Sequence, residues 1–274
     1  MYDLQIYFSK VNNIRQQSKF FITNNFLTID QLKVYAKEKN SNLLYNENAL
    51  ALFIVDNNVN RVYFHISSIE NIDCFIELLN INSTDKPYII ECLGKEVQLE
   101  KLMAYFEEHN INLYTKLSRW RTDKIIGLLP VKNKKMIRLA SVEDVKKIQF
   151  VFKNVFDPFV SHLPDDEKLK QLIKNKYVYC GILNNDIVAA YCCEKVGSKS
   201  LYLYQDAVLD EFNGSGIGVL MLHYVLGKNN TFEDYNCWIE DKNQISRKMH
   251  IKLGFKMDGL KSFIFIYNNQ EMKL

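Results

Sequence analysis

From Ser200 to Val208 the chain reads Ser-Leu-Tyr-Leu-Tyr-Gln-Asp-Ala-Val, an alternation that predicts a half-buried strand. Beyond it the period changes, and Ile217, Leu220, Met221 and Val225 fall on one stripe of a helix. Before this strand, Met136 to Ala140 reads as a short strand. Ser141 and Asp144 then have capping-box spacing ahead of a helix carrying Val145, Ile148, Phe152 and Val155 on one face. Acidic residues Asp165, Asp166 and Glu167 open a second short helix through Ile173, where its dipole favours them. Tyr177–Leu183 and Ile187–Glu194, joined by Asn184-Asn185-Asp186, form a predicted hairpin. Later come a strand from Tyr235 to Glu240, a helix from Asn243 to Leu253 closed by Gly254, and two last strands through Tyr267. On that helix, Ile245, Met249 and Leu253 are expected to pack on a sheet, with Asn243, Ser246 and His250 as a neighbouring polar stripe.

The first half repeats part of this order. Leu50–Val55 and Arg61–Ile66 predict a hairpin across Asp56-Asn57-Asn58. Ile72–Leu79 predicts a helix, Tyr88–Cys92 a strand, Val97–His109 a helix and Leu113–Trp120 a strand. Met103–Ile111 set beneath Arg247–Phe255 makes the two helix-to-strand exits coincide. Polar, basic Pro130–Lys135 is the expected linker, giving domains 1–130 and 131–274. An internal duplication accounts for the pattern; two unrelated α/β modules are the alternative.

Three glycines at alternate positions, Gly214, Gly216 and Gly218, separate the strand from the helix. Glycine admits a bulky anion close to the backbone, and a helix start offers unpaired N–H groups and the positive end of its dipole. The segment is therefore a candidate phosphate or pyrophosphate cradle, and no equivalent glycine loop exists in the first half. It is neither a Walker loop nor the dinucleotide fingerprint, which needs glycine where Val219 stands. An Asn213-Gly214 hairpin turn shares the dipeptide, but the helical period that follows favours the anion loop.

Composition narrows the classes. The 274 residues are 47% hydrophobic and 13% aromatic, as in a globular protein. A net charge of +3 gives no basic footprint for nucleic acid. No apolar run reaches membrane-span length and Met1–Phe21 has no signal-peptide core, so the expected location is cytoplasmic, away from membranes. The six cysteines form no Cys-x-x-Cys pair and sit in apolar runs, as expected of buried reduced thiols and not of a metal site.

Two motifs in order carry a resemblance: Val208-x-x-x-x-Asn213-x-x-Gly216-x-Gly218, and Asn243-x-x-Ser246-x-x-x-His250-x-x-x-Gly254-Phe255. Over about residues 136–267 the chain resembles the GNAT superfamily of acyl-coenzyme A-dependent N-acyltransferases, and Ile137–Asp144 looks like that family's opening strand and helix. The resemblance implies an α/β protein of tandem GNAT-like folds, a mixed sheet flanked by helices in each half, with the first copy lacking a coenzyme site. It further implies acetyl-coenzyme A as co-substrate, with no metal, and a small-molecule or peptide amine as acceptor. A monomer or homodimer is expected. The amides of Asn213, Gly214, Ser215, Gly216, Ile217 and Gly218 would grip the pyrophosphate. The strand edge at Ala207 and Val208 would pair with the pantetheine arm, and Asn243 and Ser246 belong to the second motif.

The sequence departs from the family at three places. Asn213 replaces Arg or Gln, His250 replaces Tyr, and Tyr202 stands where several members keep a glutamate base. By the resemblance His250 would protonate the departing thiolate. Strand alternation puts Tyr202, Tyr204 and Asp206 on one face, where Asp206 could act as a base or the tyrosines could order a water. All four are also ordinary packing residues for a strand or helix. Lys242, Arg247, Lys248 and Lys252 read as a solvated face. Two rival functions stay open: a coenzyme A-binding sensor or scaffold without turnover, and a tandem aminoacyl-transferase using charged tRNA. The glycine loop and near-neutral charge disfavour the latter.

Overall fold

The structure, a computed structural model, describes residues 2–37, 41–56, 59–82, 84, 86–131 and 136–268. Its contacts divide the chain into two compact units, Met1–Lys116 with Leu260–Leu274, and Leu117–Gly259. The break expected at Pro130 falls inside the second of these, and the basic part of the expected linker, 132–135, lies outside the described residues, as does the Asn57-Asn58 turn.

In the first unit α1 (Leu4–Gln17), β1 (Ile22–Thr23), α2 (Ile29–Lys37) and β2 (Ser41–Tyr45) come first. None of these four is predicted above, because their polar and apolar residues follow neither period cleanly. Asp3 caps α1, its Oδ1 accepting from Gln5 N at 2.6 Å, and α1 buries only Tyr7 and Ile14. Next come β3 (Ala49–Asp56), β4 (Val59–Ile66), α3 (Ile72–Ile81), β5 (Tyr88–Lys95) and α4 (Glu96–Glu108). Strands β2, β3 and β4 are antiparallel, and β5 joins β4 in parallel. β5 also pairs antiparallel with Leu260–Tyr267, the end of the last strand, β12 (Lys256–Tyr267). Phe64, Phe75, Phe106 and Phe265 meet in the core between this sheet and α3 and α4.

The second unit begins within β6 (Ile111–Thr122) and holds β7 (Ile137–Leu139), α5 (Val145–Val155), α6 (Asp166–Lys174), β8 (Val178–Leu183) and β9 (Asp186–Val196). It continues through β10 (Ser200–Val208), α7 (Ile217–Lys228), β11 (Asp234–Glu240) and α8 (Gln244–Lys252). Its strand order is β7-β8-β9-β10-β11-β6, antiparallel except for β10 with β11. Ile217, Met221 and Val225 of α7 join Leu201, Leu203 and Tyr191 in one core; Ile148 and Phe152 of α5 and Leu169 of α6 join Ala190 and Ala207 in the other. The Ser141–Asp144 capping box forms, Ser141 N donating to Asp144 Oδ2 at 2.7 Å, and Arg138 clasps the same carboxylate.

Each unit therefore runs through two helices, three antiparallel strands, a helix, a parallel strand and a final helix, the tandem arrangement expected. Two details differ from the sequence expectation. The two last strands are one strand of 12 residues, β12, which accommodates Gly259 at φ +88° without breaking. On α8 Ile245 is 76% exposed; the inward face is Ser246, Met249, His250 and Leu253. Positions i, i+3, i+4 and i+7 stay on one side of a 3.6-residue helix, whereas a strict four-residue step drifts around it.

All six cysteines are free, five of them buried. Among the described residues no helix is long and apolar enough to cross a membrane, and no His, Cys, Asp and Glu grouping could hold a metal ion.

Candidate active site

Two irregularities of β10 set the geometry. The first is a bulge: Leu203 faces Cys193 on β9 and Gln205 faces Cys192, leaving Tyr204 as the extra residue. Tyr204 and Gln205 consequently point the same way, both reaching the His162 carbonyl, with Tyr204 Oη donating at 2.6 Å and Gln205 Nε2 at 3.5 Å. Every later side chain is reversed relative to simple alternation. Ala207 thus packs in the α5–α6 core, and Asp206 lies among Tyr191, Cys193 and Cys237 of the α7–α8 side. This corrects the expected face: Tyr202 and Tyr204 stay together, ring centroids 5.5 Å apart, but Asp206 does not share their side.

The second irregularity is a splay. β10 and β11 pair only at Ser200–Asp234, Leu201–Tyr235 and Tyr202–Asn236. From Leu203 to Val208 no strand among the described residues pairs with β10 on that side, while β9 continues on the other through Ala207–Ala190 and Val208–Ala189. An open β edge of this kind takes up an extended chain of amides.

That edge runs straight into the glycine loop. A turn at Asp210–Phe212 leads to Asn213, whose Nδ2 donates to Asp210 Oδ1 at 3.1 Å, so the side chain braces the loop from within. Gly214 and Gly216 are left-handed, at φ +84° and +80°, and a Cβ on either would meet nothing within 4 Å. Gly216 is the N-cap of α7, and Ile217 N finds only Ser215 Oγ, at 3.4 Å. The amides of Gly216, Gly218 and Val219 have no acceptor among the described residues. Gly218 packs against Val208, where a Cβ would come within 3.1 Å of Cγ2. Several N–H groups thus converge on open space at a helix start, the arrangement that holds a phosphate or pyrophosphate.

The second motif forms the cap and inward face of α8. Asn243 caps α8, its Oδ1 accepting from Ser246 N at 3.0 Å, which gives this residue a structural task. His250 is 4% exposed, its ring edge-on to Phe255 at 5.0 Å, and its Nδ1 faces the Ser246 carbonyl at 2.9 Å. A carbonyl only accepts, so Nδ1 carries the proton and Nε2 is the ring's acceptor. Burial outweighs that hydrogen bond and lowers the imidazole's pKa below its ordinary value, keeping the ring neutral. Asp206 shifts the opposite way: burial pushes its carboxyl up to about 7.

Arg247 does not belong to a solvated face. It lies over the Trp120 ring, 5.7 Å from its centroid, and donates to the Asp241 carbonyl at 3.0 Å. Trp120, Gln205 and His162 were all missed by motif reasoning. The bulge alone turns Gln205 toward His162, and Trp120 comes from a strand more than a hundred residues away in the chain.

This architecture matches known structures. A GCN5-related N-acetyltransferase from Sphaerobacter thermophilus superposes with a TM-score of 0.58 at 10% identity, covering 87% of this chain and 84% of that one. An acetyltransferase of the GNAT family from Colwellia psychrerythraea gives 0.53 at 14% identity over 98% of both chains. The chain has the GNAT fold. A third such structure, a GCN5-related N-acetyltransferase from Kribbella flavida, gives 0.51 at 10% identity over 83% of this chain and 90% of that one. No protein-family model matches the sequence, and no curated protein matches it. In this GNAT fold the bulge in β10, the splay between β10 and β11 and the glycine loop lie in the second unit.

Proposed function

We propose that this protein is an acyl-coenzyme A-dependent N-acyltransferase, with acetyl-coenzyme A as donor and an amine as acceptor, working in its second unit. The observation that carries the reading is one continuous surface: the unpaired edge of β10 leading into the unsatisfied amides at the start of α7. An extended arm bearing two amides, ending in a pyrophosphate, complements both parts. The edge from Leu203 to Val208 would hold the arm, and the amides of Gly216, Gly218 and Val219 the phosphates. Asn213 braces the loop and Asn243 caps α8, so neither side chain is needed as a direct ligand.

When bound, the coenzyme supplies the acyl group as a thioester. The incoming amine must be neutral to attack, and the departing sulfur must gain a proton. Asp206, on the α7–α8 side of the splay, holds a proton on its carboxyl up to about pH 7 and is the group we assign to give it to the sulfur. His250, buried and neutral with its proton on Nδ1 toward the Ser246 carbonyl, is not the group we assign as the acid. Tyr202 and Tyr204 occupy the opposite face, where they would order the water that takes the amine's proton.

Calorimetry with acetyl-coenzyme A, followed by thiol release across a panel of amines, tests the proposal. Binding in the range of about 1 μM to 1 mM with release for at least one amine is expected. Binding without release for any amine would make the protein a coenzyme-binding module, and no binding at all would overturn the reading.

A further inference from the structure

The first unit has its own splay, and it is full. β4 and β5 pair in parallel only at Asn60–Tyr88 and Arg61–Ile89, as β10 and β11 pair only at their starts. Beyond Arg61 the edge of β4 that turns away from β3 meets residues 22 to 24 of the same unit. Ile22 pairs with Ile66 and Thr23 with His65, antiparallel. Thr23 Oγ1 donates to the Phe64 carbonyl at 2.8 Å, and Asn24 N donates to it at 3.4 Å. Phe64 N donates to Asn24 Oδ1 at 2.6 Å. Asn24 Nδ2 then bridges the gap, donating to the Val62 carbonyl on β4 at 2.9 Å and to the Glu91 carbonyl on β5 at 3.0 Å. Asn24 is buried, with both carboxamide atoms used.

We propose that the splay between β4 and β5 is a binding cleft for an extended amide chain, occupied by the protein's own residues Ile22–Asn24 in place of a pantetheine arm. The chemistry is the same on both sides of the comparison. A pantetheine arm is a flexible chain interrupted by amides, and what recognises it is a row of unpaired strand N–H and C=O groups. In the first unit those groups, Phe64 N, Phe64 O and Val62 O, are taken by one backbone amide, one hydroxyl and one carboxamide. The segment is itself anchored: Ser18 Oγ donates to the Ser67 carbonyl, and Asn25 N donates to Thr23 Oγ1 at 2.9 Å. An arm arriving from solution would have to displace five hydrogen bonds tethered at high effective concentration. The likeness to a coenzyme arm rests on the reading of the second unit given above; the filling of the first cleft does not.

The test uses the full chain and pantetheine, which carries no phosphate and so needs no anion loop. In the wild type, pantetheine should leave the amide resonances of Val62 to Ile66 unmoved. The Thr23→Ala/Asn24→Ala variant should exchange the Phe64 amide at least 10-fold faster, with the β3–β4 ladder still protected, and pantetheine should now shift Val62 to Ile66. Unchanged Phe64 protection in the variant, or an equal pantetheine response in the wild type, overturns the proposal. Faster exchange with no pantetheine response overturns it too, since the cleft would then have no affinity for an amide chain. If the double variant does not fold, Asn24→Ala alone removes the acceptor of the Phe64 amide and both Nδ2 bonds while keeping Thr23, and the same readouts apply. Amides from Leu203 to Val219 in the same spectra report the second unit separately. Silence there toward acetyl-coenzyme A would sink the proposed function and leave the first-unit result standing.

Discussion

Asp206 shows how one backbone irregularity changes a residue's chemistry. Simple alternation groups it with Tyr202 and Tyr204, but the bulge at Tyr204 sends its carboxyl among Tyr191, Cys193 and Cys237. Burial raises its pKa to about 7, above the unfolded value near ~4. In that interval the folded state keeps a proton that the unfolded chain has lost, so the contribution of Asp206 to stability is most favourable below about pH 4 and declines as pH rises toward 7. The interval is worth at most about 4 kcal/mol. Asp206→Asn should flatten this slope in urea unfolding between pH 5 and 7; an unchanged slope would mean that Asp206 titrates normally. If Asp206 is the acid, wild-type turnover should fall above about pH 7, and Asp206→Asn should lose that limb and about 10²-fold or more in rate. His250 behaves differently because it is packed. His250→Ala should cost about 1–3 kcal/mol through lost contact with Phe255, read by denaturation, whereas loss of an exposed acid would leave stability unmoved.

At the scale of elements, the loop before α7 combines a left-handed backbone with empty space. Gly216 sits at φ +80°, where a β-branched residue costs about 1–3 kcal/mol and asparagine much less. A side chain there meets no protein atom within 4 Å and instead enters the space facing the free amides. Gly216→Asn should therefore melt close to the wild type yet lose coenzyme binding by at least 10-fold in calorimetry. Wild-type affinity in that variant would remove the anion loop from the proposed function. Gly218 is a different case: its missing Cβ makes room for Val208, so Gly218→Ala acts on how α7 seats against β10. On α8 the helical period itself chose the inward face, bringing His250 in and leaving Ile245 outside.

At the scale of the whole molecule, the chain leaves the first unit within β6 and returns within β12. Leu117–Thr122 pairs with Tyr235–Glu240 over six residue pairs, and Leu260–Tyr267 completes the edge of β5. A cut at Pro130 therefore strips β11 of its antiparallel partner and removes Trp120 from the core beneath α7 and α8. A fragment of residues 131–274 should be aggregation-prone, with β11 as a bare edge. A fragment of residues 117–259 should fold and bind coenzyme A. Cooperative unfolding and calorimetry on the two fragments check this, and a well-folded 131–274 fragment would show that the β6 ladder contributes little.

Most elements of the second unit, the strands and helices β3 to β6 of the first, and the glycine loop were legible in the sequence. Each is fixed by interactions within a few residues: hydrophobic period, the Ser141 and Asp165 caps, the left-handed Asn184 and Asn185 of the β8–β9 turn. The segment from α1 to β2 was not legible, because α1 and α2 bury few residues and β1 exists only through its bonds to β4. The side on which Asp206 lies, the neutral state of His250, the splay and the filling of its counterpart by Asn24 were likewise decided by tertiary structure. Each depends on partners far along the chain: β9 sets the bulge, burial sets the two pKa shifts, and residues 22 to 24 close a cleft formed some forty and seventy residues later. Local periodicity encodes which face a residue prefers; only the assembled sheet determines which partner it meets there.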